Sequence, residues 1–495
     1  MAKICLCLTG KTLVQDLEIL ERNRKYIDMA ELRVDCLDPD ERFHIRSFPD
    51  LAGLPVILSI KRTIDGGSFT GGDGSRITLL AKGLAYADAN RRRNFAYVDL
   101  EDDLNVPSLE EAARTYGTRI IRSMYKADGI EHDCAEKLLK LKRTGDELVK
   151  AVVTSNSLYD VLKVFRLAKE IAETEKILHC TGKFGGFSTI LSEQLGSQIS
   201  YVFPAEDEEG PKAQELVENY RFKDINKDSK IYAYSGFPIS DMGYPHFFNS
   251  VFNIEKINAV YVPIHADSLH SLMRLAEEIN ISGISVSSPY NEDIIPYLNT
   301  HSKEVDLIGS CNCIVKGAMG WMGYNTDAES FSASLLALHG GKDLRRHKIT
   351  VIGAGSFARA VAAELYRLKA KALILNRNSA RARRLAELYK FAWGALDTVG
   401  AELMEKYSDI IIQTSPAGSF SNLNQDPMEY YEFMGTETVM DINYKPEKTQ
   451  FLKRAEAAGC RILNGYDMLY RHASRQYEHF MNREFPPSLF SRVEL

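Results

Sequence analysis

The chain has 495 residues, 45% of them hydrophobic and 26% charged, with a formal net charge of −6. That length exceeds a single hydrophobic core and implies two or three domains, and the mild acidity gives no general attraction to nucleic acid or an anionic membrane. The apolar run after Met1 is too short for a signal peptide, and no run is long enough to span a bilayer. Eight cysteines are scattered without metal-ligand spacing; Cys5/Cys7 and Cys311/Cys313 alternate as strand residues do. A cytoplasmic protein with reduced core thiols and no metal is expected, and Arg91-Arg92-Arg93 reads as a solvated surface run.

In chain order, short β-rich apolar runs fall at 3–8, 28–34, 55–60, 95–100, 118–122, 148–153, 176–180 and 199–203, with helical patterns such as 157–173 between them. Strand–helix alternation implies parallel pairing, and eight units are what a (β/α)8 barrel needs. The charges within these runs are informative. Glu31, Arg33 and Asp35 alternate on one face of the second run, Arg62 follows the third, and Asp99 and Glu101 end the fourth. Lys150 interrupts an otherwise apolar sixth run. Charges near the carboxyl ends of barrel strands line a site. A lysine desolvated there has its neutral amine favoured, which suits attack on a ketone to form a Schiff base.

Glu31-Leu32-Arg33-Val34-Asp35, Lys61-Arg62-Thr63 followed by Gly66-Gly67, Asp99-Leu100-Glu101 and the strand carrying Lys150 together resemble type I 3-dehydroquinate dehydratase. The resemblance covers nearly all of residues 1–222 and implies that Lys150 forms an imine with the substrate ketone. It also implies that Glu31, Arg33, Arg62 and Glu101 contact a polyhydroxylated carboxylate. Tyr125 stands where the family carries its acid–base histidine, and Thr189 where it carries an arginine. The family's loop after the eighth strand reads Glu206-Asp207-Glu208-Glu209-Gly210.

A charged connector at 221–230 precedes a second α/β region. Strands are expected at 231–234, 259–262 and 283–287, with a helix at 268–279. A further α/β unit begins with the strand 348–352, which runs into Gly353-Ala354-Gly355-Ser356-Phe357-Ala358 and a helix at 359–368. A G-x-G-x-x-A loop between strand and helix lets backbone N–H groups approach a pyrophosphate. The next strand, 371–375, ends in Asn376-Arg377, where an NAD enzyme would place a carboxylate for the ribose hydroxyls. Arginine there, supported by Arg381, suits a 2′-phosphate and therefore NADP; Arg383 and Arg384 read as solvated. The strand 409–412 leads into Thr414 and Ser415 beside the expected nicotinamide.

Gly236-Phe237-Pro238-Ile239, Gly283 to Pro289, Asn312, Gly323-Tyr324-Asn325-Thr326-Asp327, the Gly353 loop, Asn376-Arg377, Asp441…Tyr444 and Gly465…Met468-Leu469 resemble shikimate dehydrogenase across 231–485. Both halves together resemble the fused dehydroquinate dehydratase–shikimate dehydrogenases. The resemblance implies a barrel at 1–222, a substrate domain at 230–334 to which a helix at 467–490 returns, and a Rossmann domain at 335–466. It implies that Asp327 and the residue at Asn291 do proton chemistry, that Ser285, Ser287, Asn312, Tyr444 and His472 hold substrate, and that Gly465 joins the cofactor site. Asn291 replaces the family's lysine, Met242 and Tyr244 replace two serines, and His472 falls where a glutamine is expected. Three functions stay open: the family's dehydration and NADPH-dependent reduction, NADP-dependent reduction of another polyol or ketone, and NADP binding without turnover. The implied partner is a small hydroxy-acid or polyol.

Overall fold

A computed structural model describes every residue except 86–87, 205–209, 240–242, 339–343, 346, 420–421 and 490–495. Compactness divides the chain into two units, Met1–Ile239 with Asn249–Ile281, and Ser240–Phe248 with Ser282–Leu495.

The first unit contains eight parallel strands: β1 (Lys3–Leu8), β2 (Met29–Arg33), β3 (Val56–Ser59), β4 (Tyr97–Glu101), β5 (Arg119–Lys126), β6 (Leu148–Thr154), β7 (Lys176–Thr181) and β8 (Ile199–Val202). Their order, β7-β6-β5-β4-β3-β2-β1-β8, is that of a (β/α)8 barrel, and a lone bridge between Lys176 and Ser197 spans the β7/β8 seam. One interior layer is apolar: Cys5, Met29, Ile57, Ile121, Leu148, Ile177 and Ile199 cluster with Tyr201. Strand side chains alternate between faces. The same inward face that carries Met29 therefore carries Glu31 and Arg33, and the face that carries Leu148 carries Lys150. Between β6 and β7 the helix Leu158–Glu170 is started by a capping box, Ser157 and Asp160 each accepting the other's backbone N–H. After the barrel, β9 (Lys230–Gly236) and β10 (Ala259–His265) pair in parallel, and Ser268 caps the helix Leu269–Glu278.

In the second unit, β11 (Ile281–Val286) runs antiparallel to β13 (Cys313–Gly317), which forms a hairpin with β14 (Gly320–Tyr324); β12 (Thr300–His301) lies parallel to β14. This antiparallel hairpin was not expected from the sequence. Beyond it lies an all-parallel sheet of β15 (Lys348–Ile352), β16 (Lys371–Asn376), β17 (Ala392–Ala395), β18 (Ile410–Gln413), β19 (Thr438–Asp441) and β20 (Arg461–Leu463). Its order, β17-β16-β15-β18-β19-β20, is the Rossmann order, and the strand order reverses at β15. The helix after β15 runs Ser356–Arg367 rather than from 359, so Ser356, Phe357 and Ala358 form its first turn. All eight cysteines are free, and all but Cys36 are buried. No helix among the described residues is long and apolar enough to cross a membrane.

Candidate active sites

The barrel interior holds a lattice of paired charges. Lys150 Nζ donates to Asp99 Oδ2 at 2.9 Å, Glu31 Oε2 at 3.1 Å and the Tyr201 hydroxyl at 2.8 Å. Lys61, just past β3, approaches the other Asp99 oxygen at 2.8 Å and Glu101 Oε1 at 2.9 Å, and donates to Ser123 Oγ at 2.9 Å. Ser123 donates to Asp99, and Arg76 lies 3.2 Å from Glu101. Burial favours the neutral amine of Lys150, as expected from the sequence. Asp99 and Glu31 overcome burial and raise the lysine above its ordinary value, so the resting group is an ammonium. Burial likewise acts to raise Glu31 and Asp99, and Lys150 reverses it, leaving both carboxylates below their ordinary range.

The other barrel residues singled out in the sequence are placed unevenly. Arg33 forms a bidentate pair with Asp35 at 3.0 and 2.8 Å. Arg62 is held by Asp65 at 2.6 Å and Asp103 at 2.8 Å. Both guanidinium groups are thus neutralised within the unit, and an arriving carboxylate would have to compete for them. Tyr125 exchanges a 2.9 Å hydrogen bond with Thr154 Oγ1, which lies 3.2 Å from Thr181 Oγ1. Thr189 is buried, and its carbonyl accepts from Ser192 and Ser200. The run 206–209 lies outside the described residues. Sequence reasoning did not single out Lys61, Ser123, Tyr201 or His179. Lys61 stood inside a motif already quoted and Ser123 directly follows the fifth apolar run, so strand alternation could have found them. His179 was concealed by its apolar strand neighbours.

In the second unit the helix Tyr466–Met481 brings His472 between three partners. Its Nε2 lies 3.0 Å from Asp327 Oδ1 and 2.9 Å from Asn312 Nδ2, and its Nδ1 meets the Tyr244 hydroxyl. Asn312 Oδ1 accepts from the backbone and hydroxyl of Thr326, which turns the amide NH₂ towards the imidazole. Nε2 therefore faces one acceptor and one donor and is satisfied whether or not it carries a proton, a property that suits a proton carrier. Asp327 opens the helix Asp327–Leu338, and its carboxylate is directed to His472.

Asn291 is committed elsewhere: its amide donates to the Val286 carbonyl at 2.9 Å. Ser285 donates to Gln476, whose amide donates to the Asn312 carbonyl at 3.2 Å. Gln476, one turn beyond His472, is a site residue the sequence reading missed. Helical spacing would have placed it on the same face. Ser287 and Tyr444 are half-buried, and Met242 lies outside the described residues.

The loop after β15 fits a dinucleotide. Gly353 has φ +117, and a Cβ there would fall 2.4 Å from Thr414 Oγ1, so only glycine is tolerated. At Gly355 a Cβ would meet nothing within 4 Å, leaving open space above the N-terminus of the helix Ser356–Arg367, where a diphosphate is stabilised. Thr414 ties the loop to β15 by donating to the Ile352 carbonyl at 2.7 Å. Gln413 and Asn443 brace Ser415 by donating to its carbonyl at 2.9 and 3.1 Å. Asn376 ends β16 and donates to the Asn378 carbonyl at 3.1 Å; Arg377 and Arg381 are exposed, with no ion pair among the described residues. Arg383 instead pairs with Glu387 at 2.7 Å. Gly465 has a packing reason, since a Cβ there would fall 1.8 Å from the Ile442 carbonyl oxygen.

Residues 4–227 match the family model of type I 3-dehydroquinase, 235–314 that of the shikimate dehydrogenase substrate binding domain, and 335–439 that of shikimate/quinate 5-dehydrogenase. The chain is 24% identical over 489 residues to the chloroplastic bifunctional 3-dehydroquinate dehydratase/shikimate dehydrogenase of Arabidopsis thaliana, covering 94% of this chain and 79% of that one. It is 28% identical over 405 residues to the shikimate biosynthesis protein AroDE of Chlamydia muridarum, covering 80% of each. It is 30% identical over 265 residues to the shikimate dehydrogenase (NADP(+)) of Halothermothrix orenii, covering 51% of this chain and 91% of that one.

Proposed function

Because the chain belongs to the family that fuses a type I 3-dehydroquinase to a shikimate dehydrogenase, we propose that it dehydrates 3-dehydroquinate in the barrel and reduces 3-dehydroshikimate with NADPH in the second unit. Lys150 attacks the substrate ketone after passing a proton to Glu31 or Asp99, the carboxylates already in contact with its Nζ. Imine formation then acidifies the neighbouring C–H bond and allows water to be lost.

The reductase reading is carried by the His472 imidazole between Asp327 and Tyr244. A bound reduced nicotinamide supplies a hydride, and the oxygen that gains negative charge needs a proton. Asn291 can only hydrogen-bond. His472 can carry that proton at Nε2, with Asp327 stabilising the imidazolium and Tyr244 fixing the other ring nitrogen. Asp327 is 13% exposed against 8% for His472, so the carboxylate is the member nearer solvent. Gly353 and Gly355 would hold the diphosphate, and the exposed Arg377 and Arg381 favour a 2′-phosphate, hence NADP over NAD.

The test is a mixture of protein, NADP and shikimate followed at the NADPH absorbance band. Steady growth of that band is expected, and it should weaken in His472→Gln. Silence with shikimate at saturating NADP would remove the shikimate dehydrogenase assignment and leave reduction of another polyol or ketone, or NADP binding without turnover.

A further inference from the structure

His179 lies near the carboxyl end of β7, the end at which (β/α)8 barrels carry their chemistry. Its ring is 7% exposed, and Nε2 has no hydrogen-bond partner. A buried nitrogen left unpartnered costs about 1–3 kcal/mol, so packing alone gives no reason for histidine here. The neighbouring interior groups are committed: Lys150 and Lys61 to carboxylates, Arg33 to Asp35, and Tyr125 to Thr154. The imidazole lies 5.6 Å from the Tyr201 ring, and the Tyr201 hydroxyl takes a hydrogen bond from Lys150. With Thr189, Phe203 and Lys212 it borders a cavity of about 10 Å³, close to the space one water needs.

We propose that His179 is the acid–base residue of the barrel's dehydration, a role that rests on the Lys150 imine proposed above. Once Lys150 Nζ has condensed with the ketone and released water, His179 Nε2 takes the proton from the carbon beside the imine. The electron pair moves towards the nitrogen and then returns to break the C–O bond on the next carbon. The departing hydroxyl takes the proton from His179 and leaves as water. No oxidant or reductant enters.

The resting ring suits this start. Burial, and then Lys150 from β6, lower it to about 4, with Glu31 from β2 acting in the opposite direction. It is therefore unprotonated at neutral pH and free to accept. Among the described residues, Lys212, ahead of the helix Ala213–Glu218, is the other charged group at the cavity.

The experiment uses the full chain with 3-dehydroquinate, comparing the parent with His179→Gln and His179→Ala. Borohydride trapping on Lys150 is read by mass, and product by its ultraviolet absorbance. Both variants are expected to give the trapped adduct while kcat falls about 10²–10⁴-fold. The acidic limb of kcat/KM should disappear, and added imidazole should restore part of the His179→Ala rate. Undiminished turnover, or an unchanged acidic limb, overturns the role of His179 while leaving the imine intact. Loss of the adduct in both variants also overturns it, assigning the residue to folding or to imine formation. A parent that gives no adduct overturns the imine and this role together.

Discussion

In the barrel, Asp99 contacts two lysines and Lys150 contacts two carboxylates, so each charge of the set is met by opposite ones. In the second unit, His472 stands between Asp327, Asn312 and Tyr244, and its Nε2 is satisfied with or without a proton. The first arrangement stores charge in a form suited to covalent chemistry, where an amine must be released at one moment. The second places a single imidazole beside a carboxylate, an amide and a hydroxyl. On the proposed reading, the imidazole from the helix Tyr466–Met481 takes over the proton that a lysine at the Asn291 position would have carried.

The largest expected effect comes from breaking the barrel lattice. Lys150→Met should eliminate the borohydride-trapped adduct and all dehydration. It should also destabilise the first unit by about 3–5 kcal/mol, because Glu31 would remain buried without the lysine it contacts and Asp99 would keep only Lys61. Urea unfolding checks the stability, and mass spectrometry the adduct. Reduction by the second unit should continue, and its loss would break the comparison.

Acid sharpens the same contrast. Asp99 and Glu31 lie below the ordinary carboxylate range when folded, with Lys150 overriding burial. The stability they contribute is therefore present above about pH 4, the unfolded range, and is lost as pH falls through their depressed folded values. Unfolding midpoints of the parent should drop across that window, and Lys150→Met should flatten the drop.

On the other side of the comparison, Asp327→Asn should lower the reduction rate about 10²–10⁴-fold while NADPH binding, followed by protein fluorescence, stays as in the parent. A matching fall in cofactor affinity would show that Asp327 supports the fold rather than the proton.

Much of this fold was legible because period and spacing are local properties. Eight apolar runs located the barrel strands to within a few residues, and Gly353-Ala354-Gly355 located the turn after β15. The hairpin β13/β14 was missed because an antiparallel pair in a mixed sheet leaves no signal in strand–helix alternation. Site chemistry was less legible. Burial of Lys150 could be read from its neighbours in sequence, and that alone predicts a neutral amine. The opposite outcome depends on Glu31 and Asp99, which lie 119 and 51 residues away along the chain. His179 was missed for the same reason, since its meaning lies in what surrounds it in space, whereas Gln476 lay within reach of helical spacing from His472.

The smallest expected effect tests the cofactor end of the second unit, where no ion pair among the described residues competes for Arg377. Arg33 and Arg62 in the barrel are each held by carboxylates, whereas Arg377 is exposed at the end of β16 with no ion pair among the described residues. A charge-assisted hydrogen bond from its guanidinium to a 2′-phosphate is worth about 1.5–3 kcal/mol. Arg377→Ala should accordingly weaken NADPH binding by roughly 10- to 100-fold and leave NADH binding unchanged, since NADH has no phosphate to lose. Fluorescence titration with both nucleotides measures the two affinities. A parallel fall for both would place Arg377 in the loop's structure. No change for either would move recognition of the phosphate to Arg381, which is also exposed near this strand end.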